Sequence, residues 1–177
     1  MARADAVQNR ERLLAAARVS FAKSADASLS AVAKQAGVGI GTLYRHFPTR
    51  ESLIVALYRH HIERLIQLVP ALLTERKPLE ALRAWFAEVA RYGRMKYGMS
   101  EVIHAAVNDA EYYGPFVGAI RQLLDAGVEA GTLKKGIDPE DVLLQLSVLW
   151  RLDPANDGEA RAKRIVELIM DGLRARQ

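Results

Sequence analysis

The side chains in this sequence best equipped for chemistry are hydrogen-bond donors gathered in one short stretch, Thr42-Leu-Tyr44-Arg45-His46-Phe-Pro-Thr-Arg50. An arginine fork matches the O6 and N7 acceptors of guanine or a phosphate, and hydroxyl and imidazole groups bond phosphate oxygens singly. Arg50 falls in the first turn of an expected helix, where a cation opposes the helix dipole at a cost of about 0.3–1 kcal/mol unless an anion docks there. Other chemistry is thinner. Glu101-Val-Ile-His104 has the spacing that puts two metal ligands on one helix face, but a dinuclear bundle needs a second such motif and two further glutamates; the sequence holds one such motif. His60 and His61 lie close to Glu63 but point to different helix faces. The absence of cysteine removes disulfides, thiolate metal sites and cysteine nucleophiles. Gly37-x-Gly39-x-Gly41 has no strand before it and a misplaced third glycine, so it is no nucleotide-binding fingerprint. The expectation is a protein that binds rather than catalyses, with no cofactor and no metal.

The donors are carried by residues 28–50, which read as two short helices with a glycine turn between them. Leu29, Val32, Ala33 and Ala36 share one helical face, capped by Ser28. Gly37 stops that helix by taking the left-handed conformation, and Val38 is expected to plug the angle. In the second helix Leu43 and Phe47 point inward, while Gly41, Thr42, Tyr44, Arg45 and His46 face out. Pro48 ends it. A helix–turn–helix with a polar, basic second helix is a device for entering the DNA major groove. Arg45 is the candidate for bidentate guanine reading, with a phosphate contact as the alternative; His46 and Arg50 are expected at phosphates, and Lys34 and Arg3 are weaker candidates. Gly39 and Gly41 would let the backbone approach the duplex closely.

The pattern Ala33-x-x-Ala36-Gly37-Val38-x-x-Gly41-Thr42-Leu43-Tyr44-x-His46-Phe47, followed by Arg50-Glu51-x-Leu53, resembles the tetracycline-repressor (TetR) family of bacterial transcription regulators. Over roughly residues 10–58 the match is specific; beyond it the resemblance rests on length, helical character, and the Gly127–Leu133 and Asp138-Pro-Glu-Asp141 stretches. It implies phosphate contacts for Thr42 and Tyr44, a homodimer, a palindromic double-stranded DNA operator, and a small-molecule effector. Many relatives carry Ser and Lys where this chain has Gly39 and Ile40, so a helix cap and a phosphate contact are missing here.

Charge follows the motif. Through residue 60 there are nine Lys or Arg side chains against four acids (Asp5, Glu11, Asp26 and Glu51), and the remaining 16 bases and 17 acids nearly balance. The basic surplus sits where a DNA partner requires it. No apolar run reaches the roughly 20 residues that span a bilayer, and Met1–Asp5 lacks the apolar segment of a signal peptide, so a cytoplasmic protein without a membrane partner is expected.

The elements expected around the motif are all helical. They are Asp5–Lys23 with a Leu13, Leu14, Ala17 and Phe21 stripe, a long helix from Arg50 to the Pro70–Ala71 region, one opened by Pro78, and a break near Gly98. Then come a short helix at 100–109, one opened by Pro115 and ending at Gly131, one from Asp138 to about Leu152, and a last from 159 to 174. The fold class is all-α: an N-terminal three-helix DNA-binding domain, 1–55, plus a C-terminal helical ligand-binding and dimerisation domain, 56–177. The long helix from Arg50 joins the halves without a flexible linker.

Two clusters fill the second half. Seven of the 12 aromatic residues lie between Trp85 and Phe116, and Trp85, Phe86, Val89, Tyr92, Met99, His104, Tyr112, Tyr113 and Phe116 are candidates for a ligand cavity or, more plainly, core. Stripes of Val142, Leu146, Leu149 and Trp150, and of Ile165, Leu168, Ile169, Gly172 and Leu173, are candidates for a four-helix dimer interface or an internal core face. Alternative readings are a small-molecule sensor that does not bind DNA and a helical metalloenzyme built on Glu101 and His104.

Overall fold

Leu13, Leu14, Ala17 and Phe21 repeat at helical spacing, and they are the buried face of the first helix. The computed structural model describes residues 2–24, 26–97, 102–103, 110–153 and 156–175. These form eight α-helices and no strand: α1 (Ala2–Lys23), α2 (Leu29–Ala36), α3 (Ile40–His46), α4 (Arg50–Glu75), α5 (Pro78–Tyr97), α6 (Ala110–Glu129), α7 (Pro139–Ser147) and α8 (Gly158–Leu173). A 3-10 turn, Val148–Arg151, follows α7. Gly98, Met99, Glu101, His104 and most of the helix expected at 100–109 lie outside the described residues. The chain divides into two compact units, residues 1–60 with 98–107 and residues 61–97 with 108–177, so that one boundary falls inside α4 between His60 and His61.

In the first unit α1 packs on α2 and α2 on α3. Val32, Ala33 and Ala36 of α2, Leu43 of α3, Phe47, and Leu53, Ile54 and Leu57 of α4 are buried in this unit along with the α1 stripe. The Ser20 hydroxyl donates to Gln35 Oε1 at 2.7 Å, tying α1 to α2.

The second unit is built on α5, which packs against α6, α8 and the 3-10 turn. Ala81, Leu82, Trp85, Phe86, Val89 and Tyr92 of α5 meet an inner face of Phe116, Val117, Ile120, Leu123 and Leu124 on α6. Asp138 caps α7 by accepting the Glu140 N–H at 2.9 Å, with Pro139 in the first turn as expected. The end of α8 is tied to the preceding loop: Lys134 N donates to Leu173 O and Ala175 N to Thr132 O.

Several expectations need correction. Pro70 and Pro115 lie inside α4 and α6 rather than at their ends. Each lacks the N–H of one helical bond, yet each sits on an exposed face of its helix, where a missing bond costs less than in the core. Gly93 does not interrupt α5. A Cβ there would lie 2.6 Å from the Leu149 carbonyl oxygen and 3.2 Å from Trp150 Cδ1, so the glycine is what lets α5 meet the 3-10 turn. Residues of α7 and of the 3-10 turn expected at a dimer surface also turn inward. Val142, Leu146 and Leu149 are buried in the protomer, as is Leu173 of α8, and all four belong to its own core.

Gly93→Ala isolates that contact. Helix propensity alone favours Ala by about 1 kcal/mol. The fixed carbonyl reverses the sign, so Gly93→Ala should destabilise the protein by about 1–3 kcal/mol in thermal or urea unfolding. An unchanged or raised melting temperature would contradict the packing described.

Candidate nucleic-acid interface

The turn that aims α3 is set by backbone geometry. Gly37 takes φ 62° and ψ 36°, its N–H bonds Lys34 O, and Val38 N–H bonds Ala33 O, the paired closure that ends a helix on a left-handed residue. Arg12 of α1 donates from Nη2 to the Gly37 carbonyl at 3.2 Å. Ser28 caps α2, accepting the Ala31 N–H at 3.2 Å. Gly39 precedes α3 with no side-chain cap. With Leu43 and Phe47 buried, α3 has one orientation, and its outer face carries Gly41, Tyr44 and Arg45 with Thr42 half-buried beside them.

Arg45 is held before any partner arrives. Its Nε donates to Gly41 O at 3.3 Å and its Nη2 to Thr42 Oγ1 at 3.0 Å. These two bonds lay the guanidinium along the exposed face of α3. Thr42, one turn earlier, positions Arg45 in addition to the phosphate contact the resemblance implies for it. Tyr44 is 50% exposed. His46 is half-buried, its ring 6.2 Å from that of Phe47. Ile40, absent from the expected site, is 42% exposed on the same helix.

Arg50 also has a role inside the first unit. Its Nη1 donates to the Ala27 carbonyl at 3.0 Å, and its guanidinium lies over the Phe21 ring, Cζ 4.9 Å from the centroid. These contacts tie α4 to α1 and to the link before α2 and leave other N–H groups of the five-donor guanidinium for the expected phosphate. The first turn of α4 is closed by Thr49 and Ser52, each accepting the other's backbone N–H at 3.1 Å. The Glu51 carboxyl is held below its ordinary range by its own backbone N–H and then by the Thr49 hydroxyl.

In the second unit Trp85, Phe86, Val89, Tyr92 and Phe116 are all buried, with Trp85 against both Phe86 and Phe116. The Trp85 and Phe116 centroids are 5.2 Å apart, and the indole N–H donates to Leu65 O at 2.8 Å. Tyr92 stacks on His61 at 4.3 Å, a pairing across α4 and α5 that no local pattern announces. Tyr112 is half-buried, its hydroxyl 3.4 Å from Glu63 Oε1. Tyr113 is corrected: it is exposed on α6, one residue round the helix from the inner face, and donates to Glu140 at 2.9 Å. That bond, more than desolvation, raises its pKa. Met99 and His104 lie outside the described residues. Among those described, no three His, Asp or Glu side chains gather into a metal-holding group, and no helix is long and apolar enough to cross a membrane.

Comparison with known proteins settles the family. Residues 13–57, which hold the turn and α3, match the model for bacterial regulatory proteins of the tetR family. Residues 77–175 match that for the C-terminal domain of SbtR-like transcriptional regulators. The chain belongs to the TetR family of bacterial transcription regulators. The TetR transcriptional regulator SCO0520 of Streptomyces coelicolor is 38% identical, with a TM-score of 0.83 over 95% of this chain and 99% of that one. A TetR regulatory protein of Mycobacterium vanbaalenii is 29% identical, TM-score 0.78, over 99% and 100%. The HTH-type transcriptional repressor KstR2 of Rhodococcus jostii is 28% identical over 80% of this chain and 78% of its own. As a TetR-family member the chain is a DNA-binding transcription regulator, and its helix–turn–helix is α2, the Gly37 turn and α3.

The place of Arg50 yields a test. Arg50→Ala should lower stability by about 1–3 kcal/mol, through the lost charged hydrogen bond and ring contact, and Arg50→Lys should recover only part. Urea unfolding of both variants measures this. Full stability of Arg50→Ala would contradict the role inside the unit.

Proposed function

We propose that this TetR-family regulator is a repressor that binds a palindromic operator as a homodimer and leaves it when the second unit takes up a small ligand. The observation that carries the reading is the outer face of α3, where Arg45 is already fixed by Thr42 and Gly41 beside Tyr44 and two bare glycines. In the major groove Arg45 would read a guanine, and Thr42, Tyr44, His46 and Ser28 would meet phosphates, which orient the protein without reading sequence. Repression is the role named for the Rhodococcus relative. Residues 1–55 act as the DNA-binding domain and 56–177 as the sensing and dimerisation domain, in the cytoplasm.

Dimerisation is assigned to the outward faces of α7 and α8. Leu168 is 71% exposed and Leu144 66%, with Val148 exposed as well. Ile165, Leu168, Ile169 and Gly172 recur at i, i+3, i+4 and i+7 and flank the buried face of Ala162, Val166, Met170 and Leu173, with Ile165 and Ile169 half-buried at its edge. An apolar stripe of that kind on a folded protomer marks an association surface. Trp150, half-buried, borders it. The ligand site is assigned to the Trp85, Phe86, Val89, Tyr92 and Phe116 cluster, with Tyr112 and His61 supplying polarity, which suits an apolar or aromatic molecule with one polar group. Because α4 begins in one unit and ends in the other, a ligand that favours one tilt of α4 biases the first unit. DNA and ligand must then weaken each other by the same factor.

Gel-shift titration over a range of salt tests the function. Affinity should fall steeply with salt, and Arg45→Ala should relax preference at one base pair by about 1–3 kcal/mol. Thr42→Val should do the same more weakly. Equal affinity for random duplexes, or binding indifferent to salt, would sink the reading. For assembly, Leu168→Glu should give a folded monomer by light scattering, whereas Leu146→Glu, which puts a charge in the core, should unfold the second unit. A stable Leu168→Glu dimer would move the interface elsewhere.

A further inference from the structure

On the helix that carries Arg45, one side chain is of the wrong chemistry for phosphate and too exposed for the core. Ile40 is 42% exposed, with Gly39 before it and Gly41 after it. A Cβ built at either glycine would meet no atom beyond its chain neighbours within 4 Å, so the backbone on both sides of Ile40 borders open space. Being β-branched, Ile40 holds one preferred rotamer in a helix, and it stands out as a stiff apolar knob. Tyr44, one turn on and 50% exposed, continues the apolar strip. Arg45 lies on the polar side of the same helix, bonded to Thr42 and Gly41.

The major groove offers donors, acceptors and a single kind of apolar group, the thymine 5-methyl. We propose that Ile40 is a specificity-determining residue that selects a thymine in each half-site by packing on its methyl group. The inference rests on α3 being the groove helix. Where a basic residue at this position would add affinity without information, Ile40 adds information and no charge. Ile40 and Arg45 are five residues apart, roughly 7–8 Å along a helix. The thymine should therefore lie within about two to three base steps of the guanine Arg45 reads, at 3.4 Å per step.

The test uses the full chain and duplexes with a randomised core. After selection, each thymine of the half-site is replaced in turn by deoxyuridine, which lacks only the methyl. One thymine should cost the wild-type protein about 3–5-fold in affinity per half-site, the worth of one buried methyl group. Ile40→Ala should bind the thymine and uracil duplexes equally, and Ile40→Val should keep most of the methyl sensitivity. Because Ile40 is exposed, both variants should melt with the wild type. The proposal is overturned if no thymine is methyl-sensitive, if Ile40→Ala is as sensitive as the wild type, or if the sensitivity disappears in Tyr44→Ala instead. Failure to select any duplex would overturn it together with the groove assignment of α3, which separates the two failures.

Discussion

The first unit depends on one backbone constraint, the left-handed turn at Gly37. Its two closing bonds, to Ala33 and Lys34, fix the direction in which the chain leaves α2, and Arg12 holds the carbonyl of the same residue from α1. A side chain at Gly37 would be strained at φ 62° and would press on Arg12, 2.7 Å from a Cβ. Once the exit is fixed, burial of Leu43 and Phe47 sets the rotation of α3. That rotation alone decides that Ile40, Tyr44 and Arg45 face outward. Ser20 to Gln35 and Arg50 to Ala27 tie the elements on either side of α2 together, so the exposed surface of α3 rests on bonds made elsewhere in the unit.

The second unit uses packing for the same end. Close approach at Gly93 brings α5 against the 3-10 turn after α7, and the Trp85 indole bonds the Leu65 carbonyl of α4 within the aromatic interior. These contacts turn Val142, Leu146 and Leu149 inward. What remains outside is a second apolar set, led by Leu144 and Leu168, that the protomer itself does not bury.

Local patterns carried much of this. The α1 stripe, the Ser28 and Asp138 caps, the Gly37 stop and the inward Leu43 and Phe47 are all short-range, and each is where its spacing placed it. The misses are long-range or a matter of helical phase. Arg12 reaches Gly37 across 25 residues and Arg50 reaches Ala27 across 23; periodicity carries no trace of either. Pro70 and Pro115 were read as helix boundaries, a rule that yields when the missing bond faces water. On α7 and α8 the stripe was found but its partner was not, because an apolar face does not say whether its own chain or a second copy covers it. The Thr42–Arg45 bond had a signal, the i, i+3 spacing of a hydroxyl and a guanidinium.

If α3 lies in the major groove with Arg45 on a guanine, methylation interference on a selected duplex will show it, because dimethyl sulfate places its methyl on guanine N7, in the major groove. One guanine per half-site should block the wild-type protein when methylated and no longer discriminate with Arg45→Ala. Interference confined to adenine N3 in the minor groove, or a guanine signal unchanged in Arg45→Ala, would contradict it.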